Sequence, residues 1–388
     1  MARLYLLFAI LMTVPALWVR EQGIHPAPVL GAVIFGVAIL GAAFILSWAA
    51  EVAQKDISQA LAVAILALIA VLPEYAVDMA LTWKAARQPE YGHYALANMT
   101  GANRLLVGVG WPVVVLLYAW RYRKPFVKLE APHRTEVFFL GMATLYSIII
   151  PLKGSLGLVD TAVMLLIFGM YVVRIAGAEV HEPELIGPAK VIGELNPVQR
   201  RLAAAFLFLL SGLAIFLSAE PFAESLIASG KQWGVSEFLL VQWIAPLASE
   251  APEFIIALIW TFRGDAQAGL GALVSSKVNQ WTLLVGTIPI VYSLSLAAPR
   301  AFPLDEVQRH ELWLTAAQSL FAVTLLINLS LSWYGAIALF VLFAAQLIFP
   351  DIRMQISAVY VLLALGVAVR DRRHVPALLK GAFLRQGQ

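Results

Sequence analysis

Long apolar blocks alternate along the chain with short polar breaks, and the blocks are too long for the buried helices of a water-soluble core, since about 20 apolar residues in a row span a bilayer. Read by that spacing, helices are expected near 4–19, 28–51, 58–83, 94–120, 135–152, 155–176, 201–228, 235–262, 268–296, 311–329, 332–350 and 354–370. The first block follows Arg3 without an A-x-A-like cleavage site, so it is expected to stay as a helix rather than leave as a signal peptide. The longest polar connection, 178–200, sets Glu179, Glu182, Glu184, Lys190 and Glu194 among Pro183, Pro188 and Pro197, and reads as a short, mostly irregular linker.

Composition turns this pattern into a class. Of 388 residues, 61% are hydrophobic and only 13% charged, and mean hydropathy is +0.82. Soluble domains carry about 45–50% apolar and about 25% charged residues. An all-α, polytopic membrane protein in the lipid bilayer is expected, with no room for a soluble domain. The net charge of +3 is no sign of a nucleic-acid partner, because the basic residues lie in short loops where they set orientation. Arg121, Arg123, Lys124, Lys128 and Arg134 fall on one side with Arg370, Arg372, Arg373, Lys380 and Arg385, which makes that side, both termini and the linker cytoplasmic. Arg300 and Arg309 fall on the other side. The absence of cysteine removes disulfides, thiolate metal sites and thiol catalysis. The six histidines include no pair at i, i+4 spacing, so no histidine metal site is expected.

An internal repeat is the most informative feature. LIAVLPEYAVDMALTWKA (68–85) and APLASEAPEFIIALIWTF (245–262) are apolar helices broken by Pro-Glu, each with threonine and tryptophan near its end. Each is followed by a polar stretch inside an apolar helix, ALANMTGANRLLVGVG (95–110) and GLGALVSSKVNQWTLLVG (269–286). Five helices lie on each side of the linker, and an odd number of crossings turns the second unit upside down. Inverted repeats with polar, proline-broken helices in corresponding places mark a secondary transporter with a midplane site. The expected organisation is an extra N-terminal helix (1–27), a first repeat (28–177), a cytoplasmic linker (178–200), a second repeat (201–350), and an extra helix with a basic tail (351–388).

Ionisable side chains are costly in a bilayer, so those present are site candidates. Glu74 and Glu253 each follow a proline, which removes a backbone donor and frees carbonyl oxygens beside a carboxylate. Such hard oxygen ligands suit sodium or calcium. The alternative for one Pro-Glu alone is a kink with a glutamate paired to a neighbouring helix. Asp78 lies one turn after Glu74 and Glu250 one turn before Glu253. Four acids cannot all ionise together in one dry pocket, so some bind cations, pair with a base or hold protons. Asp78 also has the plainer reading of an exposed residue near a helix end. Asn98, Thr100 and Asn103 add oxygens in the first repeat, and Ser275, Ser276, Asn279 and Gln280 in the second. Lys277 among them is a fixed cation that either occupies an ion site, neutralises a glutamate or gives up its proton. Arg104 has the reading of a snorkelling anchor outside the cavity.

These motifs resemble the cation/calcium exchanger superfamily, the sodium/calcium exchangers and their relatives, whose paired repeats read roughly G-T-S-(L/I)-P-E and G-N-(V/I)-x-G-S-N-I-F-N. The resemblance covers both five-helix units. It puts Glu74 of VLPE and Glu253 of EAPE on the ligand glutamates, and Asn98 and Asn103 of ANMTGAN on the first two asparagines. Aligned without gaps, Ala272 and Lys277 stand at those places in the second repeat, and Gln280 at the last polar position. Threonine and serine ligands before Pro-Glu become Ala70 and Val71 in the first repeat, Ser249 and Glu250 in the second.

The resemblance implies a sodium/calcium exchanger fold and a cation antiporter working by alternating access, with helices 28–51 and 201–228 rocking against the four that carry the motifs. Glu74 and Glu253 would hold the metal, helped by Asn98, Asn103, Gln280, Ser249, Ser276 and Glu250, while Lys277, Glu250 and Asp78 set charge or carry a proton. Calcium, sodium and protons are transported ions, and no resident cofactor is expected. Rival readings are a proton-coupled antiporter of another cation, with Lys277 replacing a sodium ion, and a non-transporting scaffold. An enzyme is not expected, because no nucleophile–base pair accompanies the carboxylates.

Overall fold

A computed structural model describes residues 2–56, 72–176, 185 and 187–383. Its helices are, in chain order, α1 (Ala2–Glu21), α2 (Pro28–Ala53), α3 (Leu72–Ala85), α4 (Glu90–Leu105), α5 (Trp111–Tyr122), α6 (His133–Ser147), α7 (Ile149–Lys153), α8 (Leu158–Ala176) and α9 (Gly187–Gly193). The rest are α10 (Pro197–Trp233), α11 (Glu237–Phe262), α12 (Ala266–Asn279), α13 (Val285–Ser295), α14 (Glu306–Leu325), α15 (Trp333–Ile348), α16 (Arg353–Asp371) and α17 (Val375–Phe383). Every expected apolar block coincides with helix, except that 58–71 of the third block, with Ala70 and Val71, lies outside the described residues. Among the described residues, eight helical runs are long and apolar enough to cross a membrane, including α4 through α5 as one run, Glu90–Tyr122.

Two differences from expectation have local causes. The helix expected over 201–228 runs from Pro197 to Trp233, because Asn196 accepts a hydrogen bond from Gln199 N at 2.9 Å and Pro197 takes the first helical position. It ends at Gly234, whose φ of 64° suits a residue without a Cβ. The linker, expected to be mostly irregular, contains the seven-residue helix α9, with Ala189 and Ile192 buried against Ile45 and Leu207. Residues 178–184 and 186 of that linker lie outside the described residues.

The chain divides into two compact units, Met1–Asn98 with Ile175–Pro252 and Met99–Arg174 with Glu253–Gln388, and each draws on both expected repeats. In the first, α2 and α10 pack along each other. Small residues let membrane helices approach closely, and at Gly36 the ring of Phe222 lies where a Cβ would be only 2.8 Å away. Phe35, Ile39, Val77, Leu81, Leu226 and Val241 close the core of this unit. Lys84 at the end of α3 bridges Glu220, at 2.7 Å, and Glu224 of α10. On the turn after α2, Asp56 receives Arg200 Nε at 2.7 Å and Arg201 Nε at 2.9 Å. The Arg200 hydrogen bonds hold its carboxyl well below the usual carboxylate range.

In the second unit the inverted repeat shows in the backbone. The strand Phe126–Lys128, before α6, pairs antiparallel with Ser330–Ser332, before α15. Ser155–Leu156, before α8, pairs with Phe302–Pro303, before α14. The fourth and fifth helices of each repeat thus exchange strands with the fifth and fourth of the other, as a two-fold relation requires. The motif helices also share an irregularity. α4 passes into α5 through the π turn Leu106–Gly110, and α12 into α13 through the π turn Gln280–Leu284. Single π turns inside α-helices cluster at functional sites.

Candidate functional site

The candidate side chains divide between the two units. In the first, α3 carries Pro73 followed by Glu74, which is 1% exposed. Asp78, one turn on, is equally buried, which removes the reading that leaves it exposed at a helix end. Its Oδ1 accepts a hydrogen bond from Asn98 Nδ2 at 2.8 Å, so α3 and the middle of α4 are joined through two motif residues. On α11, Ser249 and Glu250 are buried, and Ser249 Oγ turns back on its own helix, donating to Ala245 O at 3.2 Å and Pro246 O at 3.3 Å. Pro246 and Pro252 lack the N–H that would bond the carbonyls of Gln242 and Ala248. Gln242, fully buried, is a polar residue the motifs do not contain, and its place one turn before Pro246 is the signal that finds it.

In the second unit Glu253 is half-buried. Phe254 beside it lies on Gly110 at the end of the first π turn, where a Cβ would come within 2.6 Å of its ring. Lys277 is completely buried. Its Nζ donates to Asn103 Oδ1 at 2.7 Å and Asn103 O at 3.3 Å, and stands 4.5 Å from the centre of the Trp281 ring. Asn103 Nδ2 donates to Met99 O at 2.8 Å. The two residues are 174 apart and occupy equivalent positions of the gapless repeat alignment. Equivalent residues of a two-fold pair touch only beside the axis, so Asn103 and Lys277 mark it. Ser276, Asn279 and Gln280 are buried nearby on the same helix and the start of its π turn.

Arg104 corrects its reading as a snorkelling anchor. It is fully buried in the second unit and its Nη2 pairs with Glu311 of α14, whose other oxygen receives Arg353 of α16. Its Nη1 donates to Gln346 Oε1 at 3.0 Å. The partner lies 207 residues away, beyond any helical spacing, so no local pattern points to it. Neither does one point to Ser275 Oγ, which donates to Glu136 Oε1 at 2.5 Å, 139 residues away.

A family profile described as "Sodium/calcium exchanger protein" matches residues 27–177 and 203–350. Among solved structures, the chain is similar to the H+/Ca2+ exchanger CAX, at 43% identity and a TM-score of 0.95 over 98% of this chain and 97% of that one. Native YfkE matches at 15% identity and a TM-score of 0.61, over 94% of this chain and 99% of that one. The sodium-calcium exchanger NCX_Mj matches at 15% identity and 0.54, over 83% and 99%. The last two speak for the fold alone. Curated proteins give no match.

Proposed function

The chain belongs to the sodium/calcium exchanger protein family, and we propose that it is a secondary active antiporter that moves calcium against protons across the bilayer. The observation that carries the choice of protons is Lys277. An ammonium at Lys277, held on the amide oxygen of Asn103 and over Trp281, puts a monovalent charge in the companion helix of the second repeat. It does there what a bound sodium ion would do, and leaves coupling to groups that gain and lose protons. A similar structure at 43% identity is named an H+/Ca2+ exchanger, in keeping with this reading.

In it, Glu74 and Glu253 are the carboxylate ligands of the cation, assisted by Asn98, Gln280, Ser249, Ser276 and backbone carbonyls freed by proline. Glu250 and Asp78 carry charge or the coupled proton. Asn103 offers its oxygen to the cation only when Lys277 releases it, so the lysine competes with cargo for one ligand. The repeats run over 28–177 and 201–350, in keeping with the two matched segments, and both termini lie in the cytoplasm. Transport is the activity, with no resident cofactor and no catalysis.

The test is calcium flux in proteoliposomes, driven separately by a proton and a sodium gradient. A proton gradient is expected to drive uptake and a sodium gradient to leave it near background. Glu253→Gln abolishes flux, and Lys277→Asn makes it sodium-sensitive. Sodium-driven flux in the wild type would overturn the proton assignment.

A further inference from the structure

His133, the first residue of α6, lies with its ring against the backbone of α12. A Cβ on Gly271 would sit 2.5 Å from the imidazole Cε1 and 2.7 Å from Nε2. The ring Nδ1 meets Glu136 Oε2, and the other oxygen of Glu136 accepts the hydrogen bond from Ser275 Oγ at 2.5 Å. Tyr171 on α8, itself buried, lies near the same group. The imidazole is 21% exposed and the carboxylate 10%, so water reaches the first more easily than the second. Ser275 and Gly271 are one turn apart on the helix that carries Ser276 and Lys277.

We propose that His133 and Glu136 form a proton-responsive positioning pair that grips α12 through Ser275 and Gly271. Imidazole is the side chain whose charge changes between pH 5 and 8. Deprotonating the imidazole removes the attraction between two full charges and leaves a hydrogen bond in which the carboxylate alone is ionised. Charged His133 therefore fixes Glu136, and with it the hydroxyl of Ser275, while neutral His133 loosens the grip. Other titratable groups on the elements around the pair are Glu130 and Arg134 beside it, Tyr171 on α8, Lys277 bound to Asn103, Glu306, Arg309, His310 and Glu311 on α14, the last bound to Arg104 and Arg353, and Lys380 on α17. His310 on α14 is a second imidazole on these elements, and the His133→Gln arm of the test separates the two. The grip itself does not depend on the transported ion; its effect on turnover rests on the exchange reading above.

The chain has no cysteine, and Ala272 on α12 is exposed, so Ala272→Cys places a single thiol on the gripped helix. Maleimide labelling of the purified full-length protein, normalised at each pH to the unfolded chain, is expected to rise about fivefold between pH 5.5 and 7.5, the size of a 1 kcal/mol weakening. Adding His133→Gln or Ser275→Ala to the same background flattens that rise. The second variant keeps the ion pair and removes only its hold on α12, so the test survives if the first fails to fold. In proteoliposomes, His133→Gln is expected to flatten the pH dependence of kcat and leave KM for calcium within about twofold. Identical labelling profiles in all three proteins would overturn the proposal. A His133-dependent profile in a protein that moves no calcium would sustain the grip and overturn the exchange reading instead.

Discussion

Glu136 and Glu311 stand near the starts of α6 and α14, the fourth helices of their repeats, and each reaches the motif run of the opposite repeat. Glu136 accepts from Ser275 on α12, and Glu311 pairs with Arg104 on α4. Beyond this they part. Glu311 is 1% exposed between two guanidiniums, with Gln346 completing the shell of Arg104. No side chain in this cluster ordinarily changes charge between pH 5 and 8, so it has one state over that range. Glu136 faces an imidazole that water reaches, and its cluster has two. One motif helix is pinned and the other is held by a contact that responds to protons. Two-fold backbone symmetry with unequal chemistry is what a proton-driven cycle needs, since a symmetric pair of grips gives neither motif helix a proton-dependent state of its own.

The largest expected effect comes from breaking the pinned side. Glu311→Gln leaves Arg104 and Arg353 buried without a counter-charge, which costs about 3–5 kcal/mol, read as a fall in the thermal midpoint in detergent. Replacing all three charges, Arg104→Met with Glu311→Met and Arg353→Met, leaves no unpaired charge in the cluster and is expected to recover most of the loss. Glu136→Gln keeps an acceptor for Ser275 and is expected to cost no more than about 1–2 kcal/mol. Equal losses in the two single variants would abolish the contrast between the clusters.

A smaller change sharpens it. Gly271→Ala puts a methyl where the His133 ring now lies. The imidazole is a side chain that can swing aside, so stability is expected to change by less than about 1 kcal/mol. The displaced ring loses Glu136, and the pH profile of calcium flux is expected to become that of His133→Gln. A wild-type profile in Gly271→Ala would mean that the ring position on α12 is immaterial.

The helices and the location of the candidate residues were legible in the sequence because they are local properties. An apolar run of bilayer length forms a helix wherever it packs, and a proline followed by glutamate can be read from two adjacent letters. The gapless repeat alignment placed Asn103 and Lys277 at equivalent positions, but that they touch follows only from where the two-fold axis runs. Arg104 with Glu311 and Glu136 with Ser275 were hidden for the opposite reason. Their spacings of 207 and 139 residues obey no helical period, and histidine at the head of a helix looks like any loop histidine. The π turns were equally silent, because LVGVG and QWTLL contain nothing that distinguishes them from α-helix.

The smallest predicted effect tests whether the Arg104–Glu311–Arg353 cluster draws its strength from burial or from arginine–carboxylate chemistry as such. Asp56 with Arg200 and Arg201 has the same chemistry on a turn outside the membrane spans, where Asp56 and Arg200 are 10% and 14% exposed and Arg201 is two-thirds exposed. Arg200 lowers the affinity of the folded Asp56 for a proton below that of the unfolded chain. The stability this supplies is therefore complete above about pH 4, where an unfolded carboxylate ionises, and drains away as pH falls toward the lower folded value. Outside the membrane spans the arginines left by Asp56→Asn can reach water, so the variant is expected to lower the thermal midpoint by less than Glu311→Gln, by about 2–4 °C at pH 7. The gap should narrow on acidification below pH 4. A fall as large as that of Glu311→Gln would mean that burial is not what distinguishes the pinned cluster, and a gap unchanged at pH 3 would mean that the charge on Asp56 is not what holds α10 to the end of α2.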